Sequence, residues 1–146
     1  MFADAIGSEG LIGGQAADLQ LPPHPVRVAE IEPVDRRKTA VLFRAASLAG
    51  AMVGGAGESD SRRLAEFGDR VGLAFQIVDD ILDTSSELAT QRSGEGRRRT
   101  PSLVDLDEAR RRAEELAQSA VESLNGLGPR AERLRELAEF VVVRKE

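Results

Sequence analysis

Three aspartates, Asp79, Asp80 and Asp83, lie inside an apolar string, FQIVDDILD. On a helix, positions 79 and 83 stand one turn apart on one face, and Asp80 lies about 100° round from Asp79. Carboxylates this close repel one another, so the cluster asks for a counter-charge. Hard divalent cations take carboxylate oxygen, and Mg²⁺ commonly combines one or two carboxylates with waters and phosphate oxygens. The competing reading is a solvated acidic patch. Against it, Phe75, Ile77, Val78, Ile81 and Leu82 flank the cluster and are apolar. Taken alone, the string leaves patch and metal site evenly matched.

Two weaker features accompany it. Lys38-Thr39 is expected at the start of a buried helix, where free N–H groups and the helix dipole suit a phosphate. Taken alone, a snorkelling lysine in the basic run Arg36-Arg37-Lys38 is the better reading. Gly14-Gln15 followed by Asp18 reads as an ordinary turn with a cap.

The elements that must position these residues are helical. Residues 1–14 read as a helix end running into a glycine-rich turn. Four prolines over 20–35 predict a loop with at most a short turn. Asp35 can cap a helix over 36–53, apolar on almost every face and so expected to be buried on several sides. Ser59 or Ser61 can start the next helix, over 62–84. There Leu64, Phe67, Val71, Ala74, Phe75, Val78 and Leu82 recur at helical steps. Gly68 and Gly72 either weaken it or permit close packing. A polar loop is expected over 85–104. Asp105 caps a helix over 106–124, lined by Ala113, Leu116, Ala120 and Leu124. Asn125-Gly126 stops it, and Pro129 opens a last helix to 143, lined by Leu134, Leu137, Ala138 and Val141. No alternating strand pattern of useful length is present, so the class is all-α.

Composition narrows the chemistry. The 146 residues give room for a single domain, 1–146. The net charge of −5 argues against a dedicated nucleic-acid binder. There is no cysteine, which excludes disulfides, thiolate zinc sites and thiol catalysis. His24 is the one histidine, so His-His metal sites are excluded. The stretch 39–56 carries a single charge, Arg44, but is rich in Ala, Gly and Ser; a buried helix, not a membrane span, is expected. The N-terminal stretch holds Asp4 and Glu9 and no basic run, so it does not read as a secretory signal, and the expected location is cytoplasmic.

In order, GGQAADL, KTAVLF, GLAFQIVDDILD and RRRTPSLVDLDEA resemble the second half of polyprenyl (isoprenyl) diphosphate synthases, the family of farnesyl and geranylgeranyl diphosphate synthases. The resemblance implies the C-terminal part of an isoprenoid-synthase-type bundle, about five helices here. It implies a prenyltransferase that joins an allylic diphosphate to isopentenyl diphosphate, with Mg²⁺ helping the diphosphate leave. By matching position, Asp79 corresponds to a direct Mg²⁺ ligand, and Asp80 and Asp83 to aspartates that support the ion. Gln76 corresponds to a substrate-contacting glutamine, Phe75 to the aromatic beside the isopentenyl pocket, and Lys38 with Thr39 to the allylic diphosphate contacts. Gln15 and Asp18 match a positioning motif. Arg97 or Arg98 stands in for a lysine of the diphosphate cradle.

The match has gaps. The family's first aspartate-rich motif and its paired arginines belong to an N-terminal half with no counterpart here. Ala89-Thr90 occupies the place of an expected Gly-Lys, and Thr100-Pro101 follows without a tyrosine. The chain is therefore expected to be incomplete on its own and to work as a homo- or hetero-oligomer. The alternatives are a noncatalytic partner subunit of a heteromeric synthase and a truncated inactive fragment. Product length is not readable from these residues. Arg144 and Lys145 sit where such enzymes often end in basic residues near the site; a helix C-terminus that favours positive charge explains them more simply.

Overall fold

A computed structural model describes residues 1–21, 26–92 (side chains to 86) and 105–144. His24, Arg97, Arg98 and Lys145 lie outside the described residues, as does the reading of Thr100-Pro101. The fold is all-α. Short α1 (Phe2–Ile6) leads to α2 (Leu11–Asp18). Then α3 (Val28–Asp35), a π-helical turn (Arg36–Ala40) and α4 (Val41–Val53) form one continuous run. The long α5 (Glu58–Arg92) follows. After it come α6 (Leu106–Ser123), a 3₁₀ turn (Gly128–Ala131) and α7 (Glu132–Val143).

The long helices form where apolar spacing is regular. α5 buries Phe67, Val71, Ala74, Ile77 and Val78. α6 lays Ala109, Ala113, Leu116 and Ala120 against it, and Leu124 closes the end. Each large aliphatic or aromatic side chain so buried contributes about 1.5–3 kcal/mol. Asp105 caps α6 as expected, accepting from the Asp107 and Glu108 amides at 3.0 and 2.8 Å. Gly126, at φ 93°, turns the chain after α6. α7 buries Ala138 and Val141, whereas Leu137, expected inside, is exposed.

Four expectations need correction. The proline-rich segment is not all loop: α3 forms across Pro33. Proline removes one amide and crowds the carbonyl four residues back, which weakens a helix without forbidding it. Here Val28 and Ile31 bury on the core side, and Glu32 accepts two hydrogen bonds from Arg112 of α6 at 2.9 and 3.0 Å. Asp35 is consequently no cap; it lies inside the run, 1% exposed. The Gly-rich turn is also helical, because α2 takes in Gly13, Gly14, Gln15 and Asp18. Finally, α5 starts at Glu58 and runs well past 84 to Arg92. Residues 85–92 contain neither Gly nor Pro, the first breaker being Gly94, and Ser85 Oγ donates to the Ile81 carbonyl at 2.7 Å.

Close backbone approach explains two glycines. A Cβ at Gly14 would stand 2.4 Å from the Lys38 amide nitrogen, so α2 lies directly on the π turn. A Cβ at Gly72 would stand 2.8 Å from Ala40 Cα, so α5 presses on the same turn from the other side. α4 is less covered than its composition predicts. Ala45 and Ala51 are buried, but Met52 is 69% and Val53 92% exposed. Its packing partners are α5 and the short α1, which leave part of its circumference open. Among the described residues, no helix is long and apolar enough to cross a membrane.

Candidate functional site

The π turn is the hub of the site. Adjacent residues on a helix point about 100° apart, so two neighbours can serve different elements. Lys38 Nζ reaches back to Asp18 Oδ2 of α2 at 2.8 Å. Thr39 Oγ1 donates to Gln76 Oε1 of α5 at 2.7 Å. Gln76 Nε2 then donates to Asp80 Oδ1 at 3.0 Å. The hydrogen-bond chain fixes the amide orientation of Gln76, which is buried.

One consequence is a correction. Lys38-Thr39 does not begin a helix, since α3, the π turn and α4 are continuous. The backbone N–H groups here belong to the helix interior and are not free for an anion. Whatever these residues offer a phosphate comes from the ammonium and the hydroxyl.

On α5, Phe75 packs against Phe43 of α4, ring centroids 5.4 Å apart. One turn on, Asp79 is 46% exposed, and Asp83 is exposed. Arg144, just past α7, donates to Asp79 Oδ1 and to the Phe75 carbonyl, both at 3.1 Å. Its guanidinium lies 4.0 Å from the Phe75 ring centroid, a cation–π contact. The helix C-terminus reading of Arg144 missed this pairing. Its signal was there: a basic residue at the end of an amphipathic helix that packs on α5.

The second residue that sequence reasoning missed is Asp35. Its Oδ2 is buried without a hydrogen-bond partner, as is Asp80 Oδ2. Burial pushes the Asp35 carboxyl up to about 8; nearby Asp80 adds to the rise and Lys38 opposes it. Burial pushes Asp80 up to about 7, against the Gln76 hydrogen bond and Lys38, with Asp79 and Asp18 adding to the rise. Asp35 stands three residues before Lys38, one helical step, so it was readable had the helix been carried through Pro33.

The structure thus brings Asp18, Lys38, Thr39, Phe75, Gln76, Asp79, Asp80 and Arg144 to one region through four elements. Gln15 lies on α2, three residues before Asp18, and its carbonyl accepts the Leu19 amide. Among the described residues, no three acidic or imidazole side chains converge as a closed metal cage. The donors instead suit an ion that takes one or two protein carboxylates and fills its sphere with water and phosphate oxygen, as Mg²⁺ does. Asp79 supplies an accessible carboxylate, and the unpartnered Asp80 oxygen stands beside it in sequence.

The Polyprenyl synthetase family model matches residues 1–117. The chain belongs to the polyprenyl synthetase family. Geranylgeranyl pyrophosphate synthase 12, chloroplastic, of Arabidopsis thaliana is 37% identical over 153 residues, covering 98% of this chain and 42% of that protein. Farnesyl diphosphate synthase of Bacillus subtilis (strain 168) is 34% identical over 146 residues, 96% of this chain and 49% of that one. The crystal structure of an FPP/GFPP synthase from Zymomonas mobilis superposes with a TM-score of 0.73 at 32% identity, over 96% of this chain and 48% of that chain. The all-α isoprenyl synthase fold is therefore shared. The chain spans somewhat less than half the length of these relatives.

Proposed function

We propose that this chain carries the diphosphate-gripping, Mg²⁺-supporting part of a prenyl diphosphate synthase site. The reaction is condensation of an allylic diphosphate with isopentenyl diphosphate, and the chain is incomplete for it on its own. One observation carries the reading: the π turn hands Lys38 to one side and Thr39, through Gln76, to the Asp79–Asp80 segment on the other. A cation, hydroxyl and amide donors, and carboxylates then stand together as a diphosphate with a divalent counter-ion requires. The domain is read as 1–146, the C-terminal portion of a polyprenyl synthetase domain, set in the cytoplasm.

Each residue has a task in this reading. Asp79 offers the direct metal carboxylate, and Asp80 and Asp83 support the same ion. Lys38, released from Asp18, supplies a point charge to the diphosphate, with Thr39 beside it. Gln76 contacts substrate or holds Asp80 in place. Phe75 gives the isopentenyl unit an apolar wall. Arg97 and Arg98 complete the cradle. Mg²⁺, when bound, neutralises the departing diphosphate and so favours ionisation of the allylic carbon.

A second reading, a noncatalytic subunit of a heteromeric synthase, draws on the uncovered apolar side of α4. Both readings include association, with a second copy or a different subunit. The deciding assay incubates the chain with Mg²⁺, isopentenyl diphosphate and each short allylic diphosphate, alone and mixed with the N-terminal half of a related synthase. Product in the mixture that Asp79→Asn abolishes supports the catalytic reading. Product that survives Asp79→Asn overturns it and favours the subunit.

A further inference from the structure

We propose that Arg144 is the resident counter-cation of Asp79 and competes with a divalent cation for it, so that the C-terminal end of α7 lets go of the Phe75 face when such a cation binds. This rests on the metal role proposed for Asp79. Arg144 reaches the carboxylate from another element and spans the metal-facing turn of α5, touching Asp79 Oδ1 and the Phe75 carbonyl at 3.1 Å each. The arginine side chain is the more buried partner, 12% exposed against 46% for Asp79. A carboxylate oxygen that already accepts from a guanidinium is a poorer ligand, and two cations on one carboxylate repel.

The arginine is also incompletely satisfied where it sits. Its Nε is buried without a partner, so moving the group out to water regains a hydrogen bond. The Asp79 end of the pair is half-exposed, so water screens its attraction to the guanidinium. The chain has already left the helix at Arg144, whose backbone is extended at ψ 146°. The side chain can therefore swing away without unwinding α7. Departure gives up the stacking on Phe75, which sets the size of the competition.

Mn²⁺ binding followed by electron paramagnetic resonance tests this without any turnover. The proteins are wild type, Arg144→Gln, Arg110→Gln and Asp79→Asn, each checked for fold by circular dichroism. Arg110 lines the same cleft as Arg144 but is held on Asp107 at 2.9 Å, so its variant removes equal charge without freeing Asp79. The expected result is about three- to tenfold tighter Mn²⁺ binding in Arg144→Gln, the scale of a part-buried ion pair partly screened by water plus a stacking contact. Arg110→Gln should stay within about twofold of wild type, as bulk charge alone is screened. If Arg144→Gln does not fold, Arg144→Lys replaces it and should bind between wild type and that expectation. Equal binding by wild type and the Arg144 variant, including none detectable in either, overturns the proposal. So does equal tightening in Arg110→Gln. Unchanged binding in Asp79→Asn removes the metal role of Asp79 itself, whereas weakened binding there with no effect at Arg144 removes only the present proposal.

Discussion

Folding moves the Asp35 carboxyl from water into an interior beside Asp80. Its pKa rises from 3.8 to about 8, chiefly through burial. Between those values the folded protein binds a proton that the unfolded chain has released, so stability falls as pH rises through this window and levels off above it. Asp80, raised to about 7, adds the same sign over a shorter span. Glu32 acts oppositely: burial raises it, but the hydrogen bond and charge of Arg112 prevail, and its contribution is lost as pH falls through that lowered value. Asp35→Asn should therefore stabilise the chain by about 1–3 kcal/mol at pH 8, and by less at pH 5. Urea titrations at the two pH values check this, and an equal effect at both would contradict it. Thr39→Val tests the neighbouring network. Losing the donor to Gln76 should cost about 0.5–1.5 kcal/mol, read from the urea midpoint.

At the scale of elements, the π turn is held between two glycines. Gly14→Ala puts a methyl 2.4 Å from the Lys38 amide nitrogen, a backbone atom that cannot rotate aside. It should destabilise by about 1–3 kcal/mol and loosen the Lys38–Asp18 pair. Thermal denaturation gives the first, and faster amide exchange over 36–40 the second. The elements also separate what was legible in sequence from what was not. α5, α6 and α7 showed themselves through unbroken periodicity, and the aspartates of α5 came with them. α2 did not, because Gly13-Gly14 reads locally as a turn; only its contact with Lys38 explains two glycines inside a helix. α3 was hidden by Pro33, whose local penalty is outweighed by burial of Val28 and Ile31 and by the Glu32–Arg112 bonds. Losing α3 from view hid Asp35 and misplaced Lys38-Thr39 at a helix start. The α5 aspartates, Gln76, Lys38 and Thr39 were thus in view as candidates, while Asp35, the Arg144 pairing and the backbone setting of the turn were not.

For the whole molecule, the open side of α4 matters most. Met52 and Val53 stand exposed at its end, beside a groove lined by Phe43, Ala46, Gly50 and Leu137. Apolar surface of this kind drives association. Sedimentation velocity should show concentration-dependent self-association, and Met52→Ser with Val53→Ser should reduce it. A monomer at all concentrations, with the double variant indistinguishable, would mean the remaining surface is polar enough to stand alone.

The π turn has one further consequence, for the tolerance of the chain to length change. A π turn is an α-helix with a residue to spare. Deleting one residue from 36–40 would let the helix anneal into regular α geometry with its backbone bonds intact. The helices before and after the turn would keep nearly their present register, because five residues closed i→i+5 sweep about the same angle as four closed i→i+4. The loss would fall inside the turn, where the spare residue is what lets Lys38 face Asp18 while Thr39 faces Gln76. The alignment of this gene with others should therefore run gap-free across this short segment, even where the loops on either side vary in length.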